Sequence, residues 1–194
     1  LPVLILFARA PRLGLVKRRL ARGIGPVPAL RFYRNQLQAR LRGLGRLRGF
    51  KKIVALTPPG ARLRVPPGWN VIPQAHGDLG QRMHAAFRRF PRRRVILAGV
   101  DIPALNAQDI RAAARALLHH DAAFGPAADG GYYLVAMGAR RPAKPFINVR
   151  WSTGDALADT MLNFPNLRVA MMRELSDVDT EEDLRTQEAK KLRP

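Results

Sequence analysis

Residues 95–105, Val-Ile-Leu-Ala-Gly-Val-Asp-Ile-Pro-Ala-Leu, are an apolar run that ends on an acid. Val95–Ala98 has the character of a buried parallel strand; Asp101 closes the run and Pro103 forbids its continuation. In open α/β sheets ligands gather outside the carboxyl ends of the strands. A carboxylate at such a point can hold a hard cation such as Mg²⁺ against substrate phosphates. It can also simply cap the next helix or a turn. Four other stretches carry complementary chemistry. The loop Arg9-Ala-Pro-Arg-Leu-Gly14-Leu-Val-Lys17-Arg-Arg19 follows the first apolar run and joins a glycine to several cations. It suits phosphate: backbone N–H groups approach the oxygens, arginine forks bond them in pairs, and Lys17 adds a point charge. Its spacing is neither that of the Walker A loop nor that of the dinucleotide glycine fingerprint. In residues 125–133, Gly-Pro-Ala-Ala-Asp-Gly-Gly-Tyr-Tyr, Asp129 precedes Gly130 and Gly131. The stretch reads either as a hairpin turn or as a close backbone approach to a ligand, with Asp129 accepting from a sugar or acceptor hydroxyl or serving as a base. Asp177 and Asp179 stand two residues apart, able to join a metal site, though Asp179 or Thr180 also suits a helix cap. Asp78 is a natural N-cap, and Arg82, one turn later, can face the same sheet edge.

These side chains need elements to carry them. Strand-like runs fall at Val3–Ala8, Lys52–Thr57, Asn70–Pro73, Arg94–Ala98, Ala122–Gly125, Tyr132–Met137 and Leu167–Met171. Helical stripes fall between them, at Pro28–Leu47, Leu79–Phe90, Ala107–His119, Thr153–Phe164 and Thr180–Lys190. Ser152-Thr153-Gly154-Asp155 offers a capping start to the fourth helix, and Thr180 with Asp183 to the fifth. Strands alternating with helices predict an α/β fold, a mainly parallel sheet covered on both faces. The run 121–137 breaks the alternation and predicts a local hairpin or a mixed sheet edge. Trp151 can stack on a ligand or fill the core. His76, His84, His119 and His120 show no metal-ligand spacing shared with carboxylates.

At 194 residues the chain is expected to form one domain, residues 1–194, with a full core. It has no cysteine, which excludes disulfides, thiolate metal sites and cysteine nucleophiles. Its longest apolar stretch, Val3–Ala8, is far too short to span a bilayer, so a cytoplasmic protein is the expectation. The net charge is +20, and of 34 basic residues only six are lysine. Such a charge raises the prospect of nucleic-acid binding. The arginines are dispersed, however, and no zinc finger, aromatic RNP pattern or GXXG clamp accompanies them. The expectation is a solvated cationic surface without specific nucleic-acid recognition, part of which serves a polyanionic substrate.

Taken together, the blocks Phe7-Ala8-Arg9-Ala10-Pro11…Gly14…Val16-Lys17…Arg19-Leu20, Gly77-Asp78-Leu79-Gly80…Arg82-Met83, Asp101-Ile102-Pro103, Gly125-Pro126-Ala127…Asp129-Gly130-Gly131-Tyr132-Tyr133, Trp151-Ser152-Thr153 and Asp177-Val178-Asp179-Thr180 resemble the DUF2064 family of bacterial proteins. That resemblance implies a GT-A-like nucleotide-diphospho-sugar transferase fold with a Rossmann-like sheet. It implies a metal-dependent transferase, using Mg²⁺ or Mn²⁺, that takes an activated nucleotide and an acceptor. Glycosyl transfer from a nucleotide-diphospho-sugar is the first expectation; nucleotidyl transfer with pyrophosphate release is the alternative. The expected roles are Asp101 and Asp129 in catalysis, Asp101, Asp177 and Asp179 toward the metal, and Arg9, Gly14, Lys17, Arg19, Arg82, Gly130 and Gly131 toward the nucleotide. Two positions depart from the family's pattern: Arg18 and Val100 stand where threonine is usual.

Overall fold

The computed structural model describes residues 1–191. Its elements run β1 (Val3–Arg9), α1 (Arg18–Ile24), α2 (Pro26–Gly45), β2 (Lys51–Thr57), β3 (Trp69–Pro73), α3 (Leu79–Arg88), β4 (Val95–Gly99), α4 (Ala107–Ala116), β5 (Ala122–Pro126), β6 (Tyr132–Met137), α5 (Ala156–Met161), β7 (Val169–Met171) and α6 (Glu181–Lys191). All seven expected strands form and join one sheet in the order β3-β2-β1-β4-β6-β5-β7. Every pairing is parallel except those of β6, which runs antiparallel to both β4 and β5. The hairpin expected over 121–137 is present, but β6 lies inside the sheet rather than at its edge. Leu134–Met137 is wholly buried, which an interior strand with helices over both faces requires.

One face of the sheet packs against α2 and α4, through Leu37, Leu41 and Leu44 of α2 and Ile110 and Ala113 of α4. The other face takes Met83 and Phe87 of α3, and an edge-to-face contact joins Phe124 and Phe164 at 5.2 Å between ring centres. The departure Val100 belongs to this interior: it is buried in the first cluster, so its side chain is core.

Several local expectations need correction. α1 stands where the sequence reads as a cationic loop; Leu20 alone of its seven residues is buried, so the helix carries no apolar stripe. The fourth expected helix shrinks to α5, Ala156–Met161, and Asp155 makes no side-chain cap. Ser152 has a left-handed backbone, φ 63°, and Thr153 Oγ donates instead to the Arg150 carbonyl at 2.7 Å, so this segment is a turn. The other caps hold. Asp78 and Gln81 form a reciprocal capping box on α3. Asp183 Oδ2 accepts from the Asp179 and Thr180 amides at the start of α6.

The order of the strands sets the site. From β1 the chain winds outward through β2 to β3, then returns with β4 on the other side of β1. The reversal leaves a crevice at the carboxyl ends of β1 and β4, where such sheets bind ligands.

Candidate active site

A cleft of about 660 Å³ opens at that reversal. Arg9, Lys17, Arg19, Arg82, Asp101, Asp129, Gly131, Asp177 and Asp179 line it. Gly14 and Gly130 do not; both are turn residues, with φ of +73° and +83°. The cations arrive from β1, α1 and α3, over the β1–β2–β3 half of the sheet. The carboxylates arrive from the ends of β4 and β5 and from the segment after β7, over the other half.

Lys17 joins the halves. It sits at the N-terminus of α1 in a left-handed conformation, φ 48° and ψ 49°, uncommon for a residue with a Cβ. That turn carries its side chain inward to 4% exposure. Its ammonium lies 2.9 Å from Asp101 Oδ1 and 2.7 Å from Asp179 Oδ1. Burial works against the charged form, but attraction to the two carboxylates outweighs it, and the lysine's pKa is raised. Asp101 and Asp179 keep 50% and 38% of their side-chain surface in solvent.

The acidic half is crowded. Asp177 is pushed up to about 6, first by burial, then by the charges of Asp179 and Asp129, with Lys17 pulling the other way. Backbone bonds bring these acids together. The Leu175 amide donates to the Pro126 carbonyl, and the Ala128 amide to the Leu175 carbonyl, so the C-terminal segment is stitched along the Asp129 loop. Asp129 Oδ1 accepts from the Gly131 amide at 3.0 Å, and the residue lines the cleft. A Cβ on Gly130 would collide with the Gly154 carbonyl, so this glycine serves packing between two loops. Trp151 sits in an aromatic cluster with Tyr132 and Phe146 and still reaches the cleft wall.

The metal question turns on the donor set. Asp101 and Asp179 converge on one cationic atom, the Lys17 nitrogen. Among the described residues no three acidic or histidine side chains converge as a ready cation cage. One or two carboxylates, completed by substrate phosphates and water, are what Mg²⁺ ordinarily takes beside a nucleotide. The residues present fit a divalent ion that arrives with its substrate.

Two residues that sequence reasoning passes over hold the cationic half. The Tyr33 hydroxyl accepts from the Arg9 amide at 2.8 Å and donates to the Arg9 carbonyl at 3.0 Å. Gln74, 6% exposed, donates to the Ala8 and Ala55 carbonyls and accepts from Arg82. Tyr33 is disguised as one more member of the apolar stripe of α2. Only a polar side chain right after an apolar strand could have betrayed Gln74.

No curated protein matches the chain. A crystal structure from Desulfovibrio desulfuricans G20, provisionally named a nucleotide-diphospho-sugar transferase, is 31% identical over 99% of this chain and 88% of its own, with a TM-score of 0.91. The 4-diphosphocytidyl-2C-methyl-D-erythritol synthase of Anaerococcus prevotii DSM 20548 shares the fold at 11% identity, 98% of both chains and a TM-score of 0.60. So does CMP:2-keto-3-deoxy-manno-octonic acid synthetase complexed with CTP, at 14% identity, 98% of this chain, 99% of that one and 0.54. The fold is therefore that of nucleotide-sugar transferases and nucleotidyltransferases. Residues 41–153 match the sequence profile of DUF2064, described as an uncharacterized protein conserved in bacteria. With that match and its 31% identical structural relative, the chain belongs to the DUF2064 family.

Proposed function

We propose that the protein is a metal-dependent transferase acting on an activated nucleotide, and that it moves a glycosyl group from a nucleotide-diphospho-sugar to an acceptor hydroxyl. The observation that carries this reading is the division of the cleft: on one side arginines with no salt-bridge partner among the described residues, on the other carboxylates, with Lys17 between them. Arg9, Arg19 and Arg82 bind the diphosphate through guanidinium forks. Lys17, kept charged by its carboxylates, faces the phosphate that becomes the leaving group. Asp101, with Asp179 or Asp177, would hold Mg²⁺ or Mn²⁺, which would supply Lewis-acid stabilisation of that charge. The Asp129 carboxylate accepts the acceptor hydroxyl proton as the oxygen bonds to the anomeric carbon and the bond from that carbon to the diphosphate breaks. The rate advantage comes mainly from positioning and charge stabilisation.

The second reading is nucleotidyl transfer from a nucleoside triphosphate. The single acid at the end of β4, in Gly99-Val100-Asp101 with no Asp-x-Asp, favours it, as does the density of cations after β1. The products separate the two. The protein is incubated with nucleotide sugars and nucleoside triphosphates, with Mg²⁺ or Mn²⁺ and a panel of hydroxylic acceptors. Nucleoside diphosphate released from a nucleotide sugar, and lost in Asp129→Asn, supports glycosyl transfer. Pyrophosphate released from a triphosphate in an acceptor-dependent manner replaces it with the second reading. If no nucleotide shifts the thermal unfolding of the protein, both fall.

A further inference from the structure

We propose that Gln74 is a positioning residue that locks the Arg82 guanidinium beside Arg9, and that this pair, rather than Lys17, is the main anchor of the substrate's phosphates. The inference rests on the nucleotide reading of the cleft and adds to it. Lys17 spends its charge on two carboxylates at 2.7 and 2.9 Å. Arg9 and Arg82 have no acidic partner within salt-bridge distance among the described residues. Burial, and then the neighbouring Arg9 charge, hold Arg82 below the ordinary guanidinium value. Arg9 and Arg82 line the same cleft, where their like charges repel, and an arriving phosphate dianion relieves the repulsion.

The orientation is fixed by elimination. Gln74 Nε2 donates to the carbonyls of Ala8, at 3.1 Å, and of Ala55, at 2.8 Å. Both N–H groups are then used, and flipping the amide would set its oxygen against two carbonyl oxygens. Oε1 must therefore face Arg82 Nη1, which it meets at 3.0 Å. Arg82 Nε donates in turn to the Asp78 carbonyl at 3.2 Å. The guanidinium is thus held at two points, and Nη2 has no partner among the described residues. Gln74 also reaches the other arginine. The Ala8 carbonyl it holds and the Arg9 amide held by Tyr33 belong to one peptide plane, gripped from both sides.

Calorimetric titration with inorganic pyrophosphate, in the presence of chelator, tests this on the full chain. Gln74→Leu is expected to weaken binding about tenfold, the scale of one misplaced charge-assisted contact. Gln74→Leu combined with Arg82→Ala is expected to bind within about twofold of Arg82→Ala alone, since Gln74 acts through Arg82. A purely structural role would instead multiply the two losses, and that result overturns the inference. So does wild-type affinity in Gln74→Leu, or a larger loss in Lys17→Ala than in Arg82→Ala. Arg82→Lys does not disturb the Gln74 bonds to the strands and guards against misfolding of Gln74→Leu. It keeps the charge but loses the fork, and is expected to bind about tenfold more weakly; wild-type binding there also overturns the inference. A wild-type protein that binds pyrophosphate while these variants match it removes only this inference. A wild-type protein that binds neither pyrophosphate nor any nucleotide removes the cleft reading as well.

Discussion

At the scale of single residues, the site is a problem in neutralising charge. Four carboxylates, Asp101, Asp129, Asp177 and Asp179, line one cleft with a single buried ammonium among them. Asp101 has half its side chain in solvent, and Lys17 keeps Asp179 as a partner when Asp101 is neutralised, so Asp101→Asn should still fold. It should also lose whatever extra thermal stabilisation a nucleotide gives with Mg²⁺ or Mn²⁺ over chelator; equal stabilisation with and without metal in both proteins would remove Asp101 from the metal's ligands. Asp177 makes a second case, with the sign set by its raised pKa. Its folded value of about 6 exceeds the ordinary 3.8, so the folded state holds its proton more tightly. The stability this gives is fully present below about pH 4 and is lost as pH rises through 6. In chelator, the unfolding free energy of Asp177→Asn relative to wild type should therefore climb between pH 4 and 7 and then level off. With the group half in solvent, the climb should be about 1 kcal/mol. A gap that does not vary with pH would show that the acids are not crowded.

At the scale of elements, the loop between β5 and β6 is the joint on which the acidic half depends. Gly130 has φ +83°, its carbonyl accepts from the Leu157 amide of α5, and a Cβ would meet the Gly154 carbonyl. Gly130→Ala should cost at least about 2 kcal/mol in urea unfolding, from the left-handed backbone and the collision together. A loss below half of that would mean the two loops can separate cheaply. This glycine also marks how far the sequence could be read. The strands were legible because each is a short apolar run ended by a turn signal, as Val95–Gly99 is by Asp101 and Pro103. α1 was not, because helix propensity without an apolar stripe resembles a solvated loop. The cleft's chemistry was legible as residues at strand ends, but its contacts were not. Lys17 and Asp179 lie 162 positions apart, and nothing local announces such a pair. The interior position of β6 is likewise a fact of long-range pairing, since a hairpin reads the same at an edge or inside a sheet.

At the scale of the whole molecule, a second group of exposed cations lies at the sheet edge away from the cleft. The amino ends of the parallel strands and the loops beside them carry exposed Arg46, Arg48, Lys51, Arg92, Arg93, Arg140 and Arg168. The acid at that edge, Asp121, is only 4.0 Å from Arg168. The cleft, with Asp101, Asp129, Asp177 and Asp179, lies at the opposite edge. Strands of five to seven residues separate the two edges by about 20 Å, roughly twice the screening length at physiological salt. That cationic edge can therefore hold a polyanion without touching the cleft. No helix among the described residues is long and apolar enough to cross a membrane. Duplex or single-stranded nucleic acid should bind weakly and without sequence preference, with an affinity falling steeply and log-linearly as salt rises, as counterion release requires. Fluorescence anisotropy with scrambled and mixed-sequence oligonucleotides across a salt series measures this, and a saturating oligonucleotide should leave nucleotide affinity within about twofold at physiological salt, where the two edges are screened from each other. Binding that selects one sequence and survives at that salt would make nucleic acid a specific partner; competition with nucleotide would place both ligands in the one cleft.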